Sequence, residues 1–312
     1  MAEVAIIGAG LIGRAWTIVF ARAGWNVRIW DPVTEARAVA PSLLRTSMED
    51  LEAQDLLGDV ESALARVVIC DSLRAAVAGA DLVQENGPEI VDLKRSVFRD
   101  LDRHAPPGAI LASSSSAIVA SLFTEGLAGA ARCIIAHPVN PPHLIPVVEL
   151  CGSPWTSEET IARARGLYEA VGQIPVVINR ELEGFVLNRL QGALLAEAFR
   201  LVGEGVISPS DLDKTVKDGL GLRWSFMGPF ETIDLNAPGG IDDYCTRYTG
   251  FYRRLSEDSA PPEVWDRPNI EKILAAWGDA SGGETRQTRS ERRDRRLAAL
   301  LVHKKRSGEP GR

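Results

Sequence analysis

The chain has 312 residues, of which 45% are hydrophobic and 25% are charged, and its formal net charge is −7. These proportions are typical of a folded globular protein, and the length allows two domains, each with its own core. The acidic balance argues against a nucleic-acid-binding protein, whose surface is expected to be basic. No apolar run is long enough to span a membrane, and the first strand begins almost at Met1, so the sequence predicts a cytoplasmic protein without a leader or a membrane partner.

The first predicted strand leads into the turn GAGLIG, which opens a helix. Gly8 makes the turn, Gly10 lets the backbone approach a pyrophosphate, and Gly13 lets helix and strand pack closely. The amide groups of Leu11 and Ile12 lie at the N-terminus of the helix, where the helix dipole favours an anion. This pattern predicts a dinucleotide-binding unit; the alternative is a glycine turn that only joins a strand to a helix.

An acidic residue, Asp31, ends the second predicted strand, 18 residues after the last glycine of the turn. A carboxylate at this point can accept hydrogen bonds from the hydroxyls of the adenosine ribose, and it repels the 2′-phosphate of NADP. The sequence therefore predicts NAD as the cofactor.

Predicted strands and helices alternate along the chain as far as residue 180. After the first two strands, further strands are expected at 66–70, 81–85, 109–112, 132–136 and 174–178, and helices at about 32–56, 73–80, 90–104 and 157–171. This alternation is typical of an α/β, doubly wound, Rossmann-type parallel sheet with ligands at the carboxyl ends of its strands. We therefore expect an NAD-binding domain at residues 1–182.

From residue 184 the hydrophobic period becomes helical, and Ser208-Pro209 is typical of a helix start. The apolar positions of the first long helix recur at helical spacing: Val186, Leu190, Leu194, Ala198 and Leu201. Residues 183–312 are thus predicted to form a mainly α-helical domain for substrate binding and dimerisation. Because this helix is apolar enough to be buried against another part of the chain or a second subunit, a homodimer is expected.

The basic segment at residues 286–306 is predicted to be an amphipathic helix. A membrane-binding or RNA-binding surface is one interpretation. Charge runs are usually solvated helix faces, so we favour a terminal helix that docks through Leu297, Leu300 and Leu301.

A candidate acid–base pair follows from His137 and Glu149. His137 is the one histidine of four that ends a predicted core strand, and Glu149 lies twelve residues later in an apolar run. A buried carboxylate is costly unless it is paired, and His137 is a plausible partner whose tautomer it would fix. Oxidation of an alcohol needs a base for the hydroxyl proton, and histidine is the usual choice. The alternative is a core histidine that only satisfies its hydrogen bonds.

These features, together with the serine run at 113–116 and the segment GFVLNRL at 184–190, resemble the 3-hydroxyacyl-CoA dehydrogenase superfamily over nearly the whole chain. The resemblance implies that His137 is the general base and that Glu149 orients it. It implies that Ser116 and Asn188 hydrogen-bond the reacting oxygen. The strand alignment selects Ser116 from the serine run, and the other hydroxyls are interpreted as helix caps. Asn140 is implied to support the same cluster.

The same resemblance assigns Glu89 and Lys94 to contact with the cofactor. Taken alone, two opposite charges five positions apart are equally typical of a solvated helix surface.

Within the superfamily, the segments at 183–191, 206–213 and 218–232 resemble the lambda-crystallin branch, whose members oxidise L-gulonate. Arg223 suits bidentate capture of a free carboxylate, which a thioester lacks, although an exposed helix-end arginine is the alternative. The expected substrate is a small L-3-hydroxy acid, which Arg223 and Trp224 would bind.

Three other functions stay open. The L-carnitine dehydrogenases share the Leu-Arg-Trp run, and Trp224, Phe226 and Phe230 offer aromatic faces for a trimethylammonium group. A 3-hydroxyacyl-CoA substrate is the second alternative. The third is a crystallin-like structural or NAD-sensing protein without catalysis, because fold does not imply activity.

Overall fold

The computed structural model describes residues 2–278 and 283–307 of the chain. Its strands are β1 (Glu3–Ile7), β2 (Asn26–Trp30), β3 (Val67–Ile69), β4 (Leu82–Glu85), β5 (Ile110–Ser113), β6 (Cys133–Pro138), β7 (Val147–Gly152) and β8 (Ile174–Ile178). They form one sheet in the order β3-β2-β1-β4-β5-β6-β7-β8. The predicted α/β, Rossmann-type fold with a helical C-terminal part is confirmed.

The helices of the first part of the chain are α1 (Leu11–Arg22), α2 (Thr34–Glu52), α3 (Val60–Leu64), α4 (Leu73–Val77), α5 (Val91–His104), α6 (Ser121–Thr124) and α7 (Glu158–Ala170). The later helices are α8 (Leu187–Gly203), α9 (Pro209–Lys214), α10 (Gly221–Trp224), α11 (Pro229–Leu235), α12 (Gly240–Glu257), α13 (Arg267–Trp277) and α14 (Arg286–Ser307). A π-helical turn at Thr215–Leu220 separates α9 from α10. The predicted cap of α9 is confirmed, since the Ser208 hydroxyl accepts from the Asp211 amide at 3.1 Å.

The prediction of a purely parallel sheet is wrong for the last two strands. Strands β1 to β6 are parallel, but β7 is antiparallel to β6, and β8 is parallel to β7. The loop at 139–146 between β6 and β7 carries no crossover helix, and without a crossover the chain can only return antiparallel. This reversal places His137 directly opposite Glu149 in the strand register.

The central strands are covered on both faces and are almost continuously apolar, whereas the edge strands β3 and β8 are partly exposed. On β1, Val4 and Ile6 join one core, whereas Ala5 and Ile7 join the other. The first core also holds Trp16, Phe20 and Tyr168, whose rings lie against one another. Helix α1 is therefore buried along most of its length, which fixes the glycine turn at its N-terminus.

The chain divides into two compact units. The first contains the described residues up to Asn188 and those from Ser290 to Ser307, and the second contains the described part of Arg189–Arg289. The first two residues of α8 and most of α14 belong to the first unit, and the domain boundary after residue 182 stays a prediction. No strand is found in the described part of the second unit, as expected.

Helix α14 docks as a terminal helix on the first unit. Ala298 and Leu301 are buried in the first core, and Leu297 and Val302 pack against it. The prediction is wrong for Leu300, which is exposed.

The apolar face of α8 is only partly covered within the chain, most of all at Ala198 and Leu201, which are half-buried. No residue of this helix is buried, and Leu190 is 65% exposed. Which partner covers the exposed part of this face, another part of the chain or a second subunit, stays a prediction.

Among the described residues, no helix is both long and apolar enough to cross a membrane.

Candidate active site

The glycine turn has the geometry that its sequence predicts. Gly8 has φ +98°, and a Cβ there would lie 3.1 Å from the Asn86 carbonyl oxygen. A Cβ on Gly13 would lie 1.8 Å from the carbonyl oxygen of Gly8, so any side chain at Gly13 would push α1 away from the turn. Gly10 is the N-cap of α1. A Cβ on Gly10 would meet no other atom within 4 Å, so the surface of this residue is open to a ligand.

Asp31 holds this turn to the end of β2. Its Oδ2 accepts from the Ala9 amide at 2.7 Å, and its Oδ1 accepts from the Val33 amide at 2.8 Å. The carboxylate therefore sits beside the glycine turn, where the adenosine half of a dinucleotide binds in this kind of unit. Leu11 is exposed at the start of the helix, and Ile12 packs partly on the first core.

His137 and Glu149 form the predicted pair. The imidazole Nδ1 lies 2.8 Å from Glu149 Oε2, and the two residues are only 6% and 3% exposed. The ring of Phe185 packs on the imidazole, with ring centroids 5.6 Å apart. With Nδ1 protonated and donating to the carboxylate, Nε2 is the nitrogen left to accept a proton.

Glu149 also caps helix α8. Its Oε1 accepts from the amides of Val186 at 3.0 Å and Leu187 at 2.8 Å. Burial alone would raise the pKa of Glu149, but the hydrogen bonds from His137 and from these two amides outweigh it, so its pKa is lowered. The charged carboxylate therefore joins the base to the N-terminus of α8.

Asn188 follows in the first turn of α8, and its Nδ2 donates to the carbonyl oxygen of Ser116 at 2.8 Å. Ser116 in turn donates from its amide and its hydroxyl to Glu89 Oε1. The first turn of α8 thus connects two hydrogen-bonded pairs of predicted residues: Glu149, which pairs with His137, binds its amides, and Asn188 binds Ser116. Their catalytic roles stay predictions.

The four serines differ in their surroundings. Ser113 donates to Glu85 at 2.6 Å, and Ser115 donates to the Ile118 carbonyl and to Glu89. Both are buried, whereas Ser116 is partly exposed. The choice of Ser116 is consistent with this accessibility.

Ser114 is the centre of a network that the sequence did not reveal. Its hydroxyl accepts from Trp16 Nε1 at 3.0 Å and Gln84 Nε2 at 2.8 Å, and it donates to Asn86 Oδ1 at 2.8 Å. Tyr168 donates to Gln84 Oε1. Asn86, directly after β4, was the one detectable signal, because polar groups at strand ends in this fold line the ligand crevice.

Lys94 is buried, so the interpretation as a solvated surface charge is wrong for this residue. It is 2% exposed, and its Nζ lies 3.0 Å from Glu85 Oε2. The same carboxylate accepts from the Gly87 amide, and it thereby ties Lys94 to the loop that carries Glu89. Contact of Glu89 and Lys94 with the cofactor stays a prediction.

The residues predicted to bind substrate lie on exposed segments. Asn140 is exposed on the loop that follows β6. Arg223 and Trp224 are exposed at the end of α10, and Arg223 has no ion-pair partner among the described residues. Phe226 and Phe230 add exposed aromatic surface to the same unit.

A glycine turn on a Rossmann-type sheet, with a histidine–carboxylate pair at the same edge of that sheet, is the arrangement of a nicotinamide-dependent dehydrogenase. Two family models match the chain: the NAD-binding domain of 3-hydroxyacyl-CoA dehydrogenase at residues 3–182 and the C-terminal domain of that enzyme at residues 184–272. The chain belongs to the 3-hydroxyacyl-CoA dehydrogenase family. It is an NAD-dependent oxidoreductase of this type.

Individual relatives cover most of the chain. A lambda-crystallin homolog of Bos taurus is 46% identical over 88% of this chain and 86% of its own length. An L-carnitine dehydrogenase of Streptomyces coelicolor is 34% identical over 96% of this chain and 93% of its own. A solved structure of 5-formyl-3-hydroxy-2-methylpyridine 4-carboxylic acid 5-dehydrogenase, an NAD⁺-dependent dismutase, superposes with a TM-score of 0.83 at 32% identity, over 99% of this chain and 100% of that one.

Proposed function

We propose that the protein oxidises the 3-hydroxyl group of a small L-3-hydroxy acid, similar to L-gulonate, to the 3-keto acid, with His137 as the general base. The observation that carries this proposal is the buried contact of His137 Nδ1 with Glu149 Oε2 at 2.8 Å. A structural, crystallin-like protein or an NAD sensor does not need a base held in a fixed orientation. The pair therefore favours catalysis over the structural alternative.

Each part of the proposed reaction is assigned to residues of the chain. Bound NAD accepts the hydride that leaves the substrate carbon. Glu149 holds the His137 Nδ1 proton, so that Nε2 takes the hydroxyl proton. Ser116 and Asn188 hydrogen-bond the reacting oxygen and stabilise the charge that develops on it, with Asn140 supporting the cluster. In the cofactor unit, the Leu11 and Ile12 amides would bind the pyrophosphate, Asp31 would bind the adenosine ribose, and Glu89 and Lys94 would contact the nicotinamide half.

The substrate class follows from Arg223 and Trp224. An exposed guanidinium without an ion-pair partner among the described residues suits a carboxylate, and a neighbouring indole adds an apolar wall. Two of the relatives are named for carnitine and for a pyridine carboxylic acid, which both carry a free carboxylate. The 3-hydroxyacyl-CoA esters are the second candidate, because the family's own name favours them.

Replacing Arg223 by alanine is expected to raise the KM for a free 3-hydroxy acid by about 10- to 100-fold, since a charge-assisted hydrogen bond to substrate is lost. NADH formation is measured at 340 nm with L-gulonate, L-carnitine, L-3-hydroxybutyrate and L-3-hydroxybutyryl-CoA. Arg253→Ala, another exposed arginine of the second unit, is the matched control.

Three outcomes separate the candidates. A free acid whose KM rises only in Arg223→Ala supports the proposal. If the protein prefers the CoA ester and Arg223→Ala does not change its KM, the substrate is a 3-hydroxyacyl-CoA ester. No NADH from any compound, in a preparation that binds NADH, favours the non-catalytic alternative.

We also propose that the protein is a homodimer, because the first half of α8 keeps exposed leucines at positions 190, 194 and 195. Sedimentation is expected to give twice the chain mass of 33.8 kDa. Leu190→Glu is expected to shift this to the single-chain mass, whereas Leu122→Glu, at an exposed leucine of the first unit, should not. A single-chain mass for the unaltered protein would refute the dimer.

A further inference from the structure

Arg14 is a cation in an unusual position. It lies one residue after Gly13, in the first turn of α1, and its Nη1 donates to the Ala9 carbonyl oxygen at 2.8 Å. The side chain is partly buried, and this burial lowers the pKa of the guanidinium. No carboxylate among the described residues lies within ion-pair distance of it.

Two electrostatic effects oppose a guanidinium at this position. The N-terminus of a helix carries partial positive charge, which disfavours a neighbouring cation. Partial burial also removes some of the water that would solvate the charge. The Ala9 carbonyl compensates these effects in part, but it carries no full charge, so we expect an anion that binds to the turn to supply the rest.

The direction of the side chain can be derived from its neighbours. Side chains of an α-helix point back towards its N-terminus, which agrees with the contact between Arg14 and Ala9. Successive residues are turned by about 100°, so Arg14 and Trp16 project about 160° apart. The indole of Trp16 bonds to Ser114, just after β5, and β4 and β5 lie on one side of β1. Arg14 therefore points away from β4 and β5.

The end of β2 is where Asp31 meets the turn through the Ala9 amide. Arg14 and Asp31 thus contact the same residue of the turn, one at its carbonyl and one at its amide. An acid at the end of the second strand marks the adenosine half of a bound dinucleotide. The phosphate of that half is the anion expected nearest to Arg14.

We propose that Arg14 binds the phosphate on the adenosine side of the cofactor and adds a full positive charge to an anion site otherwise made of backbone amides. Arg14 is then a determinant of cofactor affinity. This role of Arg14 does not depend on which hydroxy acid is oxidised.

The test measures ligand affinity, independently of turnover. NADH binding is followed by its fluorescence, and AMP and adenosine are titrated as competitors. Arg14→Gln removes the charge but keeps an N–H group for the Ala9 carbonyl, and Arg14→Lys keeps the charge. Arg163→Met, an exposed arginine that donates to Gly108, is the control.

We expect Arg14→Gln to lower the affinity for NADH and AMP about 10- to 30-fold and to leave the affinity for adenosine within about twofold of the unaltered protein. Arg14→Lys should retain most of the affinity, and added salt should weaken AMP binding more in the unaltered protein than in Arg14→Gln.

Other results would overturn the assignment. Unchanged AMP affinity in Arg14→Gln means that the guanidinium does not contact this phosphate. Equal losses for AMP and adenosine mean that Arg14 only shapes the turn. A loss of affinity for NADH but not for AMP would place the contact of Arg14 on the nicotinamide side of the cofactor. If Arg14→Gln does not fold, Arg14→Met takes its place, and the same comparison of AMP with adenosine decides.

Discussion

Replacing His137 by glutamine is expected to lower turnover by about 10²-fold or more, which is the usual contribution of a general base. Glutamine can still donate a hydrogen bond to Glu149, so the buried carboxylate keeps a partner, but an amide cannot take a proton from the substrate. The glycine turn and Asp31 are separate from this pair, so NADH affinity should stay within about twofold. Turnover is measured as NADH formation and affinity as NADH fluorescence.

His104→Gln is the matched control, because this histidine is exposed at the end of α5 and contacts none of the site residues in the described structure. It should leave turnover unchanged. Normal turnover in His137→Gln would contradict the assignment of the base. A large loss of NADH affinity in the same variant would show that the substitution disturbs the whole nucleotide site.

The sequence was most informative where one local pattern determines the structure. The turn from Gly8 to Gly13 needs residues without a Cβ, and that need is visible in the residue types alone. The reversal of β7 was missed because the alternation of strands and helices before it suggested a parallel continuation. The missing helix between His137 and Glu149 was the available signal for an antiparallel return.

For the candidate site, sequence reasoning paired His137 with Glu149, but it did not reveal what else the carboxylate does. The cap on α8 joins Glu149 to amides 37 and 38 positions away, and the Ser114 hydroxyl meets Trp16 from 98 positions away. Such contacts depend on how the sheet and its helices pack, and no periodicity in the sequence encodes them. The sequence left Lys94 open as a solvated charge for a different reason: its partner Glu85 lies only nine positions earlier, but charge spacing alone does not show that the end of β4 and the start of α5 bury this pair.

The second large effect is expected at Glu149. In Glu149→Gln the amide oxygen can still accept from the Val186 and Leu187 amides, and the amide nitrogen then faces His137 Nδ1. That nitrogen donates, so Nδ1 becomes an acceptor and the ring proton moves to Nε2. A histidine with Nε2 protonated cannot take the hydroxyl proton, and turnover should fall by about 10²- to 10⁴-fold. The control is Glu181→Gln, which changes a partly buried carboxylate that accepts a hydrogen bond from the Ser121 amide. This variant should retain turnover.

Stability separates the orienting role of Glu149 from its role as a helix cap. Glu149→Ala leaves the two α8 amides and His137 Nδ1 without their acceptor, which should cost about 2–5 kcal/mol in the free energy of unfolding, measured with urea. Glu149→Gln keeps the cap and should cost less. Because the pKa of Glu149 is lowered in the folded protein, its charge stabilises the fold above the unfolded value of about 4.3, and this contribution is lost as the pH falls through the folded pKa. The stability difference between the unaltered protein and Glu149→Gln should therefore be largest near pH 7 and shrink below about pH 4; a difference that grows in acid would contradict a charged Glu149 at the start of α8.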